Sequence, residues 1–441
     1  MLSRSAILGR LATAAGRTTP LARSAGAAHG LLALPRPAVV ATATCAARGA
    51  ASGRRSAVAD RPRRQNRPAD HGRPGPGRQG PTGARGRALE ALRQAIEAND
   101  LDAAMTSYMF LVPERALRPR DVADVLRVAH QTIRFRRSQL KQQRVPAAAA
   151  EFANQIGCLD ILVDDLCSGR TRVGSQGLVH ALSAYKEALA HDKAVELFGF
   201  ARENFALDAY AGSVYGAMIE VEADRRTGRD ECEMLFHAAQ AHAPTAVLYQ
   251  ALIYARLVYG DVAGAVDAFD ELKTRFDDDI VARREPRVFN HFIGLCPDPV
   301  VAREFLHEAA RRGFRIDPSM LILHMHHEWD ASHNFDAVYD AFLLYVNHCD
   351  PGQMSATYPA FDLTRLLFDA YPRATADGIA RLREATQLVL SVFNKKAIPH
   401  NLFNDIVRHV ADRWKRPDIC DVLVEIVARA GFDRAVITHK Y

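Results

Sequence analysis

The sequence is poor in the residues that would tie it together covalently. Of its 441 residues only seven are cysteine (Cys45, Cys158, Cys167, Cys232, Cys296, Cys349 and Cys420), odd in number and widely spaced, with no Cys-x-x-Cys pair. That pattern excludes a disulfide framework and a thiolate zinc site and leaves reduced, mostly buried thiols. Long apolar runs are missing too, because charges interrupt every hydrophobic stretch before it could cross a bilayer, so the chain reads as soluble or peripheral. Catalytic signatures are equally absent: there is no phosphate-binding glycine-rich loop and no nucleophile elbow. The chain is therefore expected not to be an enzyme, and no cofactor is called for.

Acidic residues are missing from one place in particular. The first 59 residues carry eight Arg, no Lys and no acid, among many Ala, Ser, Thr and Gly. This composition predicts a mitochondrial transit peptide over 1–59 and a mitochondrial protein, in the matrix or peripheral to the inner membrane. Residues 60–87, built of Arg, Pro and Gly, have no apolar periodicity and read as a disordered basic linker. The formal charge of +6 then divides: residues 1–87 carry +14, and residues 88–441 carry −8. The basic balance belongs to the leader and linker, so a nucleic-acid partner has to be met by local patches.

What the sequence does contain is a repeat. From Val179 onward a helical-hairpin pattern recurs, with an apolar or aromatic opener, a first helix, a turn, and a second helix carrying Phe. The openers are Val179, Tyr215, Tyr249 and Phe289, with Ile322 a weaker fifth, at steps of 36, 34, 40 and 33 residues. Such periods are those of stacked helix-turn-helix units. The step of 40 contains the extra run from Arg275 to Ile280, expected to extrude as a longer turn, with Asp277, Asp278 and Asp279 capping a helix. Proline falls at junctions and nothing reads as a strand, so the fold class is all-α. The expected organisation beyond the linker is degenerate helical repeats over 88–175, clear repeats over 176–350, and C-terminal repeats with a cap over 351–441. Phe198, Phe236, Phe269, Phe305 and Phe342 recur at one register of the second helix, which predicts core packing rather than stacking platforms for bases.

The unit at Tyr249 runs Tyr249-Gln250-Ala251-Leu252-Ile253, then Gly260-Asp261, then Ala265-Val266-Asp267-Ala268-Phe269. It resembles a pentatricopeptide repeat, as does the next, from Val288-Phe289-Asn290 to Gly313-Phe314-Arg315-Ile316-Asp317-Pro318. The resemblance implies a right-handed α-solenoid of stacked hairpins and a mitochondrial protein that binds single-stranded RNA along its first helices. Its role would lie in transcript stability, processing or translation, with the mitochondrial ribosome or other expression factors as further partners. By the same resemblance the base-reading residues would be His180, Gly216, Gln250 and Asn290, with Asp317 paired to Asn290. Read from its own spacing, the stripe Arg134, Arg137, Lys141 and Arg144 falls on one helix face and predicts phosphate contact.

His324, His326, His327 and His333 lack metal-site spacing and are expected at an interface or in solvent, with no metal. The competing reading is a tetratricopeptide-like scaffold or assembly factor for a respiratory complex or the mitochondrial ribosome, which the charge of −8 favours.

Overall fold

The computed structural model of the chain describes residues 83–142, 146–205, 211–226, 228–242, 244–348, 357–393 and 400–433. The expected leader and nearly all of the linker lie outside these residues, as do Arg144, Cys45, Cys349 and the polar end His439-Lys440-Tyr441. Among the described residues there are eighteen helices and no strand.

The helices pair in chain order. They are α1 (Ala84–Glu97) with α2 (Leu101–Leu111), α3 (Pro119–Gln142) with α4 (Pro146–Cys167), α5 (Ser175–Glu187) with α6 (His191–Asn204), and α7 (Ala211–Arg225) with α8 (Arg229–Gln240). Then follow α9 (Ala246–Val258) with α10 (Val262–Arg275), α11 (Asp278–Leu295) with α12 (Pro299–Arg311), and α13 (Pro318–Ser332) with α14 (Phe335–His348). The last two pairs are α15 (Thr357–Ala370) with α16 (Ala376–Val392), and α17 (His400–Asp412) with α18 (Pro417–Arg429). Each first helix packs on the next first helix as well as on its own partner, giving a solenoid of stacked hairpins. The stretch before Val179, which shows no clean hairpin register as sequence, forms hairpins of the same kind.

One turn geometry recurs within the hairpins. Asn99, Leu189, Arg226, Gly260, His333 and Lys415 each sit between a first and a second helix with φ between +49° and +76°. A left-handed residue there lets the chain reverse while the last helical carbonyls find donors. After α9, for example, Gly260 N–H donates to Leu257 O (3.0 Å) and Asp261 N–H to Arg256 O (2.8 Å), and Asp261 then caps α10 by accepting from Gly264 N–H (2.9 Å). Asp100 caps α2 in the same way through Ala103 N–H at 3.0 Å.

The aromatic opener and the second-helix Phe turn out to be two halves of one contact. Tyr215 packs edge-on to Phe198 at 5.1 Å, Tyr249 to Phe236 at 5.1 Å, and Phe289 to Phe269 at 6.0 Å, in each case joining a first helix to the second helix of the preceding hairpin. All five repeating Phe residues are buried, as their register predicts. The period of the sequence is thus the period at which one hairpin locks to its neighbour. The buried apolar residues form two clusters, one from Leu92 to Val221 and one from Ile219 to Phe432, which meet at α7, where Tyr215 packs against both.

The long step between openers has a different cause from the one expected. Only Phe276 and Asp277 separate α10 from α11, so no turn is extruded; the extra residues extend α11 at its N-terminal end to 18 residues and put Phe289 in its middle. Asp277 is the N-cap residue but makes no side-chain cap bond, while Asp278 and Asp279 lie in the first turn, where their charge suits the helix dipole.

Gly294, near the end of α11, lies where α13 comes closest. A Cβ there would sit 2.8 Å from both Cα and Cβ of Met320. Alanine in a helix ordinarily gains about 1 kcal/mol over glycine, but backbone cannot yield as a flexible side chain does. Gly294→Ala is therefore expected to lower stability by about 1–3 kcal/mol, read as a fall in the urea midpoint; a rise in the midpoint would mean that α11 and α13 are less closely packed than described.

Of the described cysteines Cys232, Cys296 and Cys420 are buried, Cys158 is half-buried and Cys167 exposed, and all five are free thiols. Burial pushes the thiols of Cys232 and Cys296 up to about 12, which keeps them protonated and unreactive.

Candidate nucleic-acid interface

The first helices line up side by side, and their shared face carries a ladder of charge. Arg137 on α3 bonds Glu187 on α5 at 2.8 Å. Lys186 on α5 bonds Glu220 on α7 at 2.6 Å, and Arg287 on α11 reaches the other oxygen of Glu220 at 3.0 Å. Lys186 also lies over the ring of Tyr254 on α9, at 5.4 Å, while the Tyr254 hydroxyl donates to Asp224 on α7. Two of these contacts skip a helix, α5 to α9 and α7 to α11. Side chains can meet across an intervening helix only on the inner side of a curved row, which marks this as the concave face of these repeats.

The middle of that face is neutralised by its own residues. Burial works against the charge on Lys186, but Glu220 and Asp224 outweigh it and hold its pKa above the usual value. Burial likewise opposes ionisation of Glu220, yet Lys186 and Arg287 pull its carboxyl down to about 2. His291, one turn beyond Arg287, is buried edge-on against Tyr254 at 5.1 Å, and burial together with the Arg287 charge lowers it to about 3. The face therefore bears both signs, with its carboxylates already engaged.

The expected phosphate stripe on α3 is only partly of one kind. Arg134 is exposed and bonds to nothing among the described residues, whereas Arg137 is half-buried in its pair with Glu187. Lys141 lies on the helix but its side chain is outside the described residues, as is Arg144 entirely. Beside Arg134, Phe135 stands 63% exposed. An aromatic among arginines, in Ile133-Arg134-Phe135-Arg136-Arg137, is the signal that sequence reading passed over.

The residues that the resemblance marks for base reading do not form one open row. His180 lies half-buried beside His130, ring centroids 5.9 Å apart, and lines a cavity of about 490 Å³ with Arg120, Asp124 and Gly174–Gly177. Burial, then the Arg127 charge, lowers its pKa, and its Nε2 finds no partner among the described residues. Gly216 is buried against the next first helix, where a Cβ would touch Val247 and Ala251 at 3.5–3.6 Å. Gln250 is 1% exposed, with its carbonyl oxygen unpartnered among the described residues.

Asn290 and Asp317 are brought together, as the resemblance implies, but through backbone. Asn290 Nδ2 donates to Pro286 O (2.7 Å) and Arg315 O (2.9 Å), and its Oδ1 accepts from Asp317 N–H (2.6 Å). Asp317 in turn caps α13 by accepting from Ser319 N–H at 2.8 Å. An amide offers two donors and two lone pairs, so a single lone pair of Asn290 is left for a ligand. Its geometry is that of a clamp on the α12–α13 connection. Asn290→Ala is accordingly expected to lower stability by about 1–3 kcal/mol, by thermal denaturation, and to weaken all RNA sequences alike. Loss of discrimination at one base with stability unchanged would restore the base-reading role.

Of the α13 histidines, His324 is the one that departs from its expectation. His324 is fully buried and neither ring nitrogen makes a hydrogen bond among the described residues, Nε2 lying 3.6 Å from Glu328 Oε1; burial lowers its pKa to about 3. Nearby Glu328, itself 1% exposed, is held by the forked guanidinium of Arg303 at 2.6–3.0 Å. His326 pairs with Asp362 at 3.2 Å, and His333 takes a left-handed conformation at the end of α13. The helical register of His324, on the α13 face that meets its neighbours, places it inside, whereas His333 at the end of α13 is exposed.

Comparison with known proteins sets this fold in context. Residues 71–209 match the RMD9 N-terminal domain, and residues 230–433 match the RMD9 middle domain. A curated relative, the mitochondrial RNA-binding protein RMD9 of Kluyveromyces lactis, is 21% identical over 369 residues, covering 78% of this chain and 54% of the relative. The chain thus spans about half the length of that relative. Among solved structures, yeast Rmd9p in complex with a 16-nt target RNA aligns with a TM-score of 0.62 at 17% identity, over 79% of this chain and 74% of that one. The pentatricopeptide repeat protein PPR10 in complex with an 18-nt psaJ RNA element aligns with a TM-score of 0.39 at 14% identity, over 78% and 54% of the two chains. The gap between the two matched domains, 210–229, coincides with α7, where the two apolar cores meet. With both domains of one family matched in order over more than three quarters of its length, the chain belongs to the RMD9 family.

Proposed function

We propose that this chain binds single-stranded RNA in mitochondria through the face formed by its first helices, and serves organellar gene expression by stabilising a transcript or presenting it for processing or translation. The observation that carries the reading is the match of both RMD9 domains to a chain whose row of first helices includes an exposed arginine, Arg134, unpaired among the described residues, one helical turn from Arg137 on the inner face, with the exposed ring of Phe135 next to it in sequence. Arg134 supplies charge for a phosphate and Phe135 a ring on which a base can stack. The mitochondrial placement rests on the named relative and on the acid-free composition of 1–59. A place in the matrix and contact with the mitochondrial ribosome are finer readings that the same address would allow.

The binding test is a salt titration with a labelled single-stranded RNA pool. Arg134→Glu is expected to weaken every sequence by a similar factor and to flatten the dependence of log affinity on log salt by about 0.7, the value for one phosphate on a single strand. Binding that is indifferent to salt, or unchanged by the substitution, would remove α3 from the interface. The scaffold alternative would show itself as stable protein complexes formed by a chain that retains no RNA.

A further inference from the structure

The residues that lengthen α11 do more than fill a gap between repeats. They carry Arg283, Arg284 and Arg287 onto a first helix, three guanidinium groups within five residues. Arg287 faces across the inner side of the row to Glu220, and His291 faces the same way. Arg284 lies three residues before Arg287 and seven before His291, so helical geometry puts it on that same stripe, one turn nearer the start of α11. Arg283 is exposed beside it and Arg284 is half-buried.

The other half-buried arginines among the described residues have carboxylate partners, for example Arg137 with Glu187, Arg256 with Glu233 and Arg381 with Glu384. Arg283 and Arg284 have none among the described residues. The nearby acids are engaged or misplaced: Glu285 is held by Arg312 at the end of α12, Glu220 is shared with Lys186, and Asp279 lies one turn before Arg283 without bridging it. Burial and the charges of Arg287 and Arg283 lower the pKa of Arg284, the mark of like charges crowded together without a counter-ion. Such repulsion is unfavourable to the fold and is relieved by an anion from outside.

We propose that Arg283, Arg284 and Arg287 form a second phosphate-contacting site of the interface, taking successive phosphates of the same single-stranded RNA whose backbone meets Arg134 on α3. This rests on the RNA-binding reading above. A strand fits better than a compact acidic surface because the unpaired arginines fall on two first helices of one row, with the neutralised centre at Lys186 and Glu220 between them. A flexible polyanion with charge repeated along its length can touch both pads while passing the carboxylates of α7.

The test uses the full chain and a fluorescent random-sequence 16-nucleotide single-stranded RNA pool, with affinity measured over a range of salt. Arg283→Glu with Arg284→Glu is expected to weaken binding at least tenfold and flatten the salt dependence by about one to one and a half, two lost phosphate contacts at about 0.7 each. The double lysine variant is expected to stay within threefold of the wild type. Arg311→Glu on the second helix α12, an equal change of charge per residue away from the face, should leave affinity within twofold. Because neither residue has a partner among the described residues, Arg283→Gln with Arg284→Gln should melt at or above the wild-type temperature while still losing affinity. This variant serves if the charge reversal does not fold. Wild-type affinity in the glutamate or glutamine variant would overturn the site and leave the RNA reading standing; failure of the unmodified chain to bind the pool at low salt would overturn the reading itself.

Discussion

Lowering the pH from 7.5 to 5 is expected to cost the chain about 4 kcal/mol through two buried histidines, before its carboxylates begin to protonate. The loss comes from His291 and His324, which are buried and neutral, with folded pKa values of about 3 against an ordinary 6.5. Each has a folded pKa below its unfolded one, so between these limits the unfolded chain binds the extra proton and gains from acid. Stability is complete above pH 6.5 and falls as pH drops toward 3; by pH 5 each histidine accounts for about 2 kcal/mol, at 1.36 kcal/mol per pH unit. His130, lowered to about 4 mainly by burial, acts in the same direction. Glu220 behaves differently: with its carboxyl held near 2, its contribution is present above 4.5 and is lost only below that value. Urea midpoints measured across this range should fall between pH 6.5 and 5, and His324→Leu, which removes one buried imidazole, should recover about 2 kcal/mol of the fall. A midpoint flat down to pH 5 would mean that these imidazoles take up protons in place.

Phe305→Ala should cost about 3–5 kcal/mol, a large part of the 5–15 kcal/mol typical of a domain. The Phe305 ring is buried on α12, stacked on Phe292 with centroids 4.0 Å apart and planes 2° from parallel, and meets Phe289 edge-on at 5.1 Å. Truncation opens a cavity where α11 and α12 join, and the rigid rings around it cannot close in. In a solenoid each hairpin depends on its neighbours, and the apolar core divides at α7, so the damage should stay within the cluster from Ile219 to Phe432. Hydrogen exchange should therefore show α11–α13 opening first, with α1–α6 still protected, and Phe305→Leu should cost less than about 1.5 kcal/mol. A uniform loss of protection from α1 to α18 would show one cooperative unit instead.

The helical repeat was legible because its contacts are made by bulky residues at fixed register. Tyr215, Tyr249 and Phe289 stand out in sequence, and they are the rings that lock each hairpin to the second-helix Phe before it. The turns within the described hairpins were less legible, since there the left-handed position is filled by Gly only at Gly260, and elsewhere by Leu189, Arg226, His333 and others whose side chains give no sign of it. The extension of α11 could not be told from a loop by length alone; Asp278 and Asp279 serve a helix start as well as a turn, and Pro286 inside the helix argued against continuity.

The candidate site was read less well than the fold. The α3 stripe follows from spacing, but spacing does not reveal that Glu187 already holds Arg137. Likewise a motif position says where Asn290 stands, while its three backbone partners depend on the path of the chain from Arg315 to Asp317. Arg283 and Arg284 went unnoticed because they lie in the residues that interrupt the repeat.

The central claim is that the first helices, and not the second, meet RNA. Photocrosslinking of the intact chain to single-stranded RNA containing 4-thiouridine, with the attached peptides mapped, tests it directly. Crosslinks should concentrate on α3, near Phe135, and on α11, near Arg283 and Arg284. Crosslinks confined to even-numbered helices would contradict it.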